Sequence, residues 1–112
     1  MLFIGVDLGT SSVKTVLSDE KGNILSTVSK EYPCEYPHNG WSEQNPEDWY
    51  KQTIHAVLEL IHTKNVDPID VAGISFGGQM HGLVILDEND QVIRPAILWN
   101  DGRSEDEVHY LN

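Results

Sequence analysis

Apolar positions at the front of the chain follow a strand pattern rather than a helical one. Leu2 to Leu8 is a near-continuous apolar run, the composition of a central strand covered on both faces. Ser12 to Leu17 is rich in β-branched residues, and Ile24 to Ser29 alternates more loosely, which predicts two further short strands. Gly9-Thr10-Ser11 and Asp19-Glu20-Lys21-Gly22-Asn23 separate them with turn compositions, so an antiparallel meander is the simplest arrangement. Tyr32 to Gln44 reads as loop, interrupted by Pro33, Pro37 and Gly40.

A helix follows. Asn45 suits the N-cap, Pro46 the first helical position, and Glu47 and Asp48 complement the positive helix start. Tyr50, Ile54, Val57, Leu58 and Ile61 recur at helical spacing and predict the buried stripe, while Asn65 and Pro68 end the helix. Val71 to Phe76 is a further strand. The glycine-flanked run Gly77-Gly78-Gln79-Met80-His81-Gly82 comes next, Leu83 to Leu86 resumes β structure, and Asp87-Glu88-Asn89-Asp90 turns it into Val92-Ile93. Ala96 to Trp99 has room for a last short strand. Ser104-x-x-Glu107 is a capping-box pattern, with Val108 and Leu111 opening an apolar side. That helix has run about two turns where the 112 residues end, so residues 1–112 read as the front part of a longer protein.

Charge narrows the partners. Seven Lys and Arg against 18 Asp and Glu give a formal charge of −11, the wrong sign for gripping nucleic-acid phosphates or anionic lipid. A hydrophobic content of 39% is nevertheless enough to expect a packed core rather than an acidic disordered tail. No run approaches the ~18 consecutive apolar residues of a membrane span, and the apolar start lacks the basic flank of a signal peptide. The single cysteine, Cys34, leaves no internal disulfide framework or multi-thiolate zinc site and suits a reducing cytoplasm.

Three polar, glycine-bearing segments could carry chemistry. In Asp7-Leu8-Gly9-Thr10-Ser11-Ser12-Val13-Lys14 a carboxylate ends an apolar strand, Gly9 lets backbone come close to a ligand, and Thr10, Ser11, Ser12 and Lys14 supply donors. Nucleotide phosphates want that grouping, the carboxylate holding hydrated Mg²⁺; an ordinary hairpin with a polar turn also fits it. In the glycine-flanked run, Gln79 and His81 offer hydrogen bonds and Met80 an adaptable apolar wall, a mixture suited to a polyol. A structural histidine in a tight turn is the plainer alternative. The third segment, Trp99-Asn100-Asp101-Gly102-Arg103, is either a sugar-contact grouping or a turn leading into a salt-bridged helix start. His38, His55, His62 and His109 are assigned to surface or core-edge positions, Trp41 to pinning the loop and Trp49 to packing the first helical turn.

Asp7-Leu8-Gly9-Thr10-Ser11-Ser12 after an apolar strand resembles the first phosphate loop of the sugar-kinase, actin and heat-shock ATPase superfamily. Gly78-Gln79-Met80-His81-Gly82 together with Trp99-Asn100-Asp101-Gly102-Arg103 is similar to the FGGY family of carbohydrate kinases, as is Trp41-Ser42-Glu43-Gln44 followed by Pro46-Glu47-Asp48-Trp49. The resemblance runs nearly end to end over the chain and implies ATP-dependent phosphorylation of D-xylulose at its terminal hydroxyl. Carried over by position, Asp7 acts near Mg²⁺ and the transferring phosphoryl group, while Gly9, Thr10, Ser11, Ser12 and Lys14 line the phosphate site. Met80 and His81 contact the sugar, with Gln79 and Asp101 close by.

The same resemblance implies a general-base aspartate and an adenosine-binding second domain downstream of these residues, so the 112-residue chain alone is expected to be inactive. Other members acting on ribulose, fuculose, gluconate or glycerol remain alternatives, as does a non-catalytic actin-like nucleotide-binding protein. The implied fold is an α/β layer of ribonuclease-H-like type, a mixed sheet with flanking helices forming an incomplete first domain. The strand near Val71 joins the meander through a right-handed crossover over the helix. Its exposed sheet edge is expected to favour self-association.

Overall fold

The opening apolar run forms strand β1 (Leu2–Leu8), Ser12–Asp19 forms β2 and Ile24–Glu31 forms β3 in the computed structural model, which describes residues 1–112. These three pair as an antiparallel meander, with Asp7 opposite Lys14 and Leu8 opposite Val13. Helix α1 (Pro46–Thr63) and a 3-10 turn at Pro68–Asp70 then lead to β5 (Val71–Gly78), which lies parallel to β1. The four-stranded order is β3-β2-β1-β5, so the mixed sheet and its crossover helix match the expected fold class. Strands β2 and β3 each run two residues beyond their expected ends, carried by continued pairing with their neighbours.

Side-chain alternation assigns the faces. Ile4 and Val6 of β1, Val13 and Leu17 of β2, and Ala56 and Leu60 of α1 make one buried cluster with Tyr32, and Trp49, Val57 and Val66 pack against it. Thr15 is fully buried in the same row and donates its hydroxyl to the Val28 carbonyl (3.0 Å), which satisfies its polar atom inside the core. The opposite face of β1 carries Phe3 and Asp7, both exposed, so β1 is covered on one face and not on two. The expected stripe of α1 is likewise corrected: Tyr50, Ile54 and Leu58 are exposed. Trp49, Ala56, Val57 and Leu60 form the inward face instead. A second helical row sits one residue, about 100°, from the first, and spacing alone cannot say which row meets the sheet.

The chain divides into two units: residues Met1–Tyr32 with Glu47–Gln79, and residues Pro33–Pro46 with Met80–Asn112. The second unit is built on short pairings. Strand β4 (Glu43–Gln44), within the stretch expected to be loop, pairs antiparallel with β6 (Ala96–Ile97). Leu83 pairs with Ile97 through both backbone bonds (2.8 and 3.1 Å), and Glu35 pairs with Glu43 (2.8 Å each way). The strand expected over Leu83 to Leu86 shrinks to isolated pairings, Leu83 with Ile97 and Leu86 with Val92. Its turn is as expected, with the Asp87 carboxylate accepting from the Asn89 and Gln91 amides (2.8 and 3.0 Å). Helix α2 (Glu105–Leu111) begins where the capping pattern placed it, but the Ser104 side chain makes no capping bond. No helix is long and apolar enough to cross a membrane.

Candidate functional site

In the first unit, Asp7 stands near the end of β1 on the exposed face, opposite Lys14 on β2 and beside Gly77 on β5. Its face-sharing neighbour two residues back is Gly5, so glycine flanks it both along its own strand and across to the next. A β-carbon added at Gly77 would meet nothing within 4 Å. The result is a shallow depression of about 310 Å³ lined by Gly5, Asp7, Lys14, Val16, Ser75 and Gly77 among others. Asp7 is the single carboxylate and Lys14 the single cation along that lining. One hard oxygen donor suits Mg²⁺ that keeps most of its water and arrives with a phosphate, since Mg²⁺ is commonly held through one or two carboxylates plus phosphate oxygens. The residues present therefore fit a nucleotide-borne Mg²⁺.

The loop beyond Asp7 is tightly closed. The Gly9 amide donates to the Ser12 carbonyl (2.9 Å), and a β-carbon at Gly9 would lie 3.1 Å from that same oxygen. A side chain there would crowd the bond that closes the loop, which favours glycine at this position. Sequence reasoning missed the residue that holds this loop. The Tyr32 hydroxyl shares its single proton between the carbonyls of Gly9 and Ser12, the latter at 3.0 Å, and the Tyr32 amide donates to the Ser11 carbonyl (3.2 Å). Tyr32 is 4% exposed. Burial, followed by the negative charge of Asp7, pushes its phenol up to about 12, so it remains a donor at any physiological pH. The signal was present only as register: pairing Ser12 with Glu31 brings residue 32 beside residue 11.

Gly77 and Gly78 belong to β5 rather than to the loop after it. A β-carbon at Gly78 would come within 3.0 Å of the Leu8 carbonyl, so its role is close approach to β1. The Gln79 amide then donates to that carbonyl (2.9 Å), and its side-chain Oε1 is buried.

In the second unit Met80 and His81 are both exposed, and His81 holds φ at 63°. That left-handed conformation is uncommon outside glycine, and it fixes the direction in which the imidazole leaves the chain. Gly82 and Leu83 follow, tied to Ile97 as described. Asp101 has a different setting. Its Oδ1 accepts from the Arg103 amide (3.0 Å) and Nε (2.9 Å), and its Oδ2 accepts from Arg103 Nη2 (2.7 Å) and the Ser42 amide (2.7 Å). The Arg103 guanidinium beside it, with these amides, holds the Asp101 carboxyl well below the usual carboxylate range.

Arg103 also donates to Glu43 (2.7 Å), which accepts from Arg94 (2.5 Å), and the guanidinium lies over Trp41 at 3.8 Å. Hydrogen bonds to Asp101 and Glu43 raise the Arg103 pKa further. His38 meets Trp41 edge-on at 4.4 Å, so Trp41 does pin its loop. Trp99 and Asn100 are exposed. The first unit thus contains Asp7, the Gly9–Ser12 loop, Lys14 and Gln79, and the second contains Met80, His81 and Asp101.

Residues 2–112 match the model of the N-terminal domain of the FGGY family of carbohydrate kinases. The chain belongs to that family. It is similar to a xylulose kinase of Bacillus subtilis (strain 168), with 55% identity over 101 residues covering 90% of this chain and 20% of the relative. A xylulose kinase of Escherichia coli (strain K12) is 42% identical over 110 residues, covering 98% of this chain and 22% of the relative. Among solved structures, one described as a xyloylose kinase from Brucella ovis superposes with a TM-score of 0.94 at 42% identity, covering 99% of this chain and 23% of the other. The chain spans about a fifth of the length of the curated relatives it matches. Sheet order and helix placement accordingly agree with the sugar-kinase fold, here as part of a domain.

Proposed function

We propose that the full-length protein transfers the terminal phosphoryl group of ATP to D-xylulose, giving D-xylulose 5-phosphate, and that residues 1–112 supply part of its sugar- and phosphate-binding domain. The observation that carries the phosphate half is Asp7 in an open, glycine-flanked depression opposite Lys14. In this reading Lys14 and the Gly9, Thr10, Ser11 and Ser12 loop hold phosphate oxygens, and Asp7 holds hydrated Mg²⁺ through water. When bound, that ion would neutralise charge on the phosphates. For the sugar half, Met80 offers an apolar wall and His81 hydrogen bonds to hydroxyls, its ring direction set by the left-handed backbone. In this reading Gln79 and Asp101 also serve the sugar site, Asp101 by holding the Trp99–Arg103 turn, since both of its oxygens are engaged.

The identity to curated xylulose kinases supports the choice of sugar. A single free cysteine, Cys34, suits a reducing cytoplasm as the compartment. Because phosphoryl transfer is catalysed almost wholly by positioning and charge stabilisation, part of the machinery alone is insufficient. The 112-residue chain should show no sugar-dependent ADP release. The test is coupled ADP detection on the full-length protein with D-xylulose, ribulose, fuculose, gluconate and glycerol. D-xylulose should give the highest kcat/KM; turnover confined to another sugar would refute the substrate and spare the family.

A further inference from the structure

We propose that Tyr32 is a positioning residue for the phosphate-binding loop, turning three of its carbonyl oxygens away from the polyphosphate. The inference rests on the phosphate-binding reading of Asp7 to Lys14. An anion is attracted by peptide N–H groups and repelled by carbonyl oxygens, so a loop that binds phosphate has to sort the two ends of its peptide dipoles. Here one residue does the sorting, through its hydroxyl and its backbone amide. The Tyr32 hydroxyl takes the Gly9 and Ser12 carbonyls and its amide takes the Ser11 carbonyl, all within the first unit.

A trans peptide carries its N–H on the side opposite its C=O. Gathering the Gly9 and Ser11 oxygens at Tyr32 therefore directs the amide hydrogens of Thr10 and Ser12 to the other side of their peptide planes. The Ser12 oxygen also accepts the Gly9 amide, so it stays bound if the phenol is lost, whereas the Gly9 oxygen is held by the phenol. The bond between residues 9 and 10 is the one Tyr32 controls most directly. The neighbouring charge of Asp7 contributes to the raised pKa of the phenol, which sets the two side chains within electrostatic reach and keeps the donor protonated.

The experiment uses the full-length enzyme and Tyr32→Phe, which keeps the buried ring and removes only the hydroxyl. Loss of one hydrogen bond's worth of loop order should raise the KM for ATP by about tenfold while leaving the KM for the sugar within about twofold. Asp7→Asn is run beside it. If Asp7→Asn abolishes turnover and Tyr32→Phe leaves the KM for ATP unchanged, the Tyr32 inference is overturned and the phosphate reading stands. If Asp7→Asn is also fully active, both fall. Equal rises in both KM values, with a lowered Tm, would mean that Tyr32 only supports the fold, and would also overturn it. Should Tyr32→Phe not fold, amide hydrogen exchange on the wild type decides: saturating Mg-ADP should slow exchange at Thr10 and Ser12, protection around Asp7 and Lys14 without it overturns the inference and spares the phosphate reading, and no protection at either place overturns both.

Discussion

His81 holds a left-handed backbone that costs a non-glycine residue about 1 kcal/mol. A strained residue at a loop with a candidate ligand role makes a separable prediction about stability and binding. His81→Gly in the full-length protein should be as stable as wild type or more so by up to about 1 kcal/mol, while His81→Ala keeps the strain and gains nothing. Both should raise the KM for the sugar. Urea unfolding and steady-state kinetics check the two halves; a His81→Gly protein that unfolds earlier than His81→Ala would contradict the strain argument.

Asp101 makes a prediction in pH. Its hydrogen bonds from Arg103 depress the folded-state value, so its stabilisation is complete above the unfolded carboxylate value, about 3.9, and is lost as pH falls below that toward the folded value. The difference in urea midpoint between the 112-residue chain and its Asp101→Asn variant should be flat from neutral pH to about 5 and shrink below about 4.

Among the elements, α1 shows what periodicity can and cannot decide. The sequence contains two apolar rows one residue apart, Tyr50-Ile54-Leu58 and Trp49-Ala56-Leu60, and only the second meets the sheet. Leu60 is fully buried and Leu58 is 48% exposed. Leu60→Ala in the 112-residue chain should cost about 2–5 kcal/mol, and Leu58→Ala less than about 1 kcal/mol; equal losses would restore the stripe read from spacing.

Helix α2 teaches a parallel lesson, since Ser104 fits a capping box by position but sits at φ −97° and ψ 18° with no side-chain capping bond. Ser104→Ala should therefore change stability by less than the roughly 1 kcal/mol of a working cap. The four strands of the first unit, the turns between the first three and the β1 boundaries were legible because they depend on neighbouring residues. Strand β4 was not, because Glu43 and Gln44 owe their pairing to Ala96 and Ile97, about fifty residues away. The site divides in the same way. Asp7, Gly9 and His81 stand out locally, while Tyr32 reaches its loop only through the β2–β3 register.

For the whole molecule, the two edges of the four-stranded sheet are protected unequally. Edge strand β3 carries Lys30 and Glu31, and its register with β2 shifts at Leu17–Ser18, devices that discourage a foreign strand from docking. Edge strand β5 reads Val-Ala-Gly-Ile-Ser-Phe-Gly-Gly, with neither charge nor proline, and exposes Ile74 (48%) and Phe76 (60%). An uncharged, β-prone edge with apolar side chains exposed is a template for pairing with a second copy. The 112-residue chain should accordingly gain mass with concentration in light scattering, through β5. Ile74→Lys places a charge on that edge and should return it to a monomer, whereas Ile24→Lys on β3, whose residue is more open at 59% exposed, should leave association unchanged. Association abolished by the β3 change and not by the β5 change would assign the contact to the other edge, and a monomer at every concentration would remove the contact altogether.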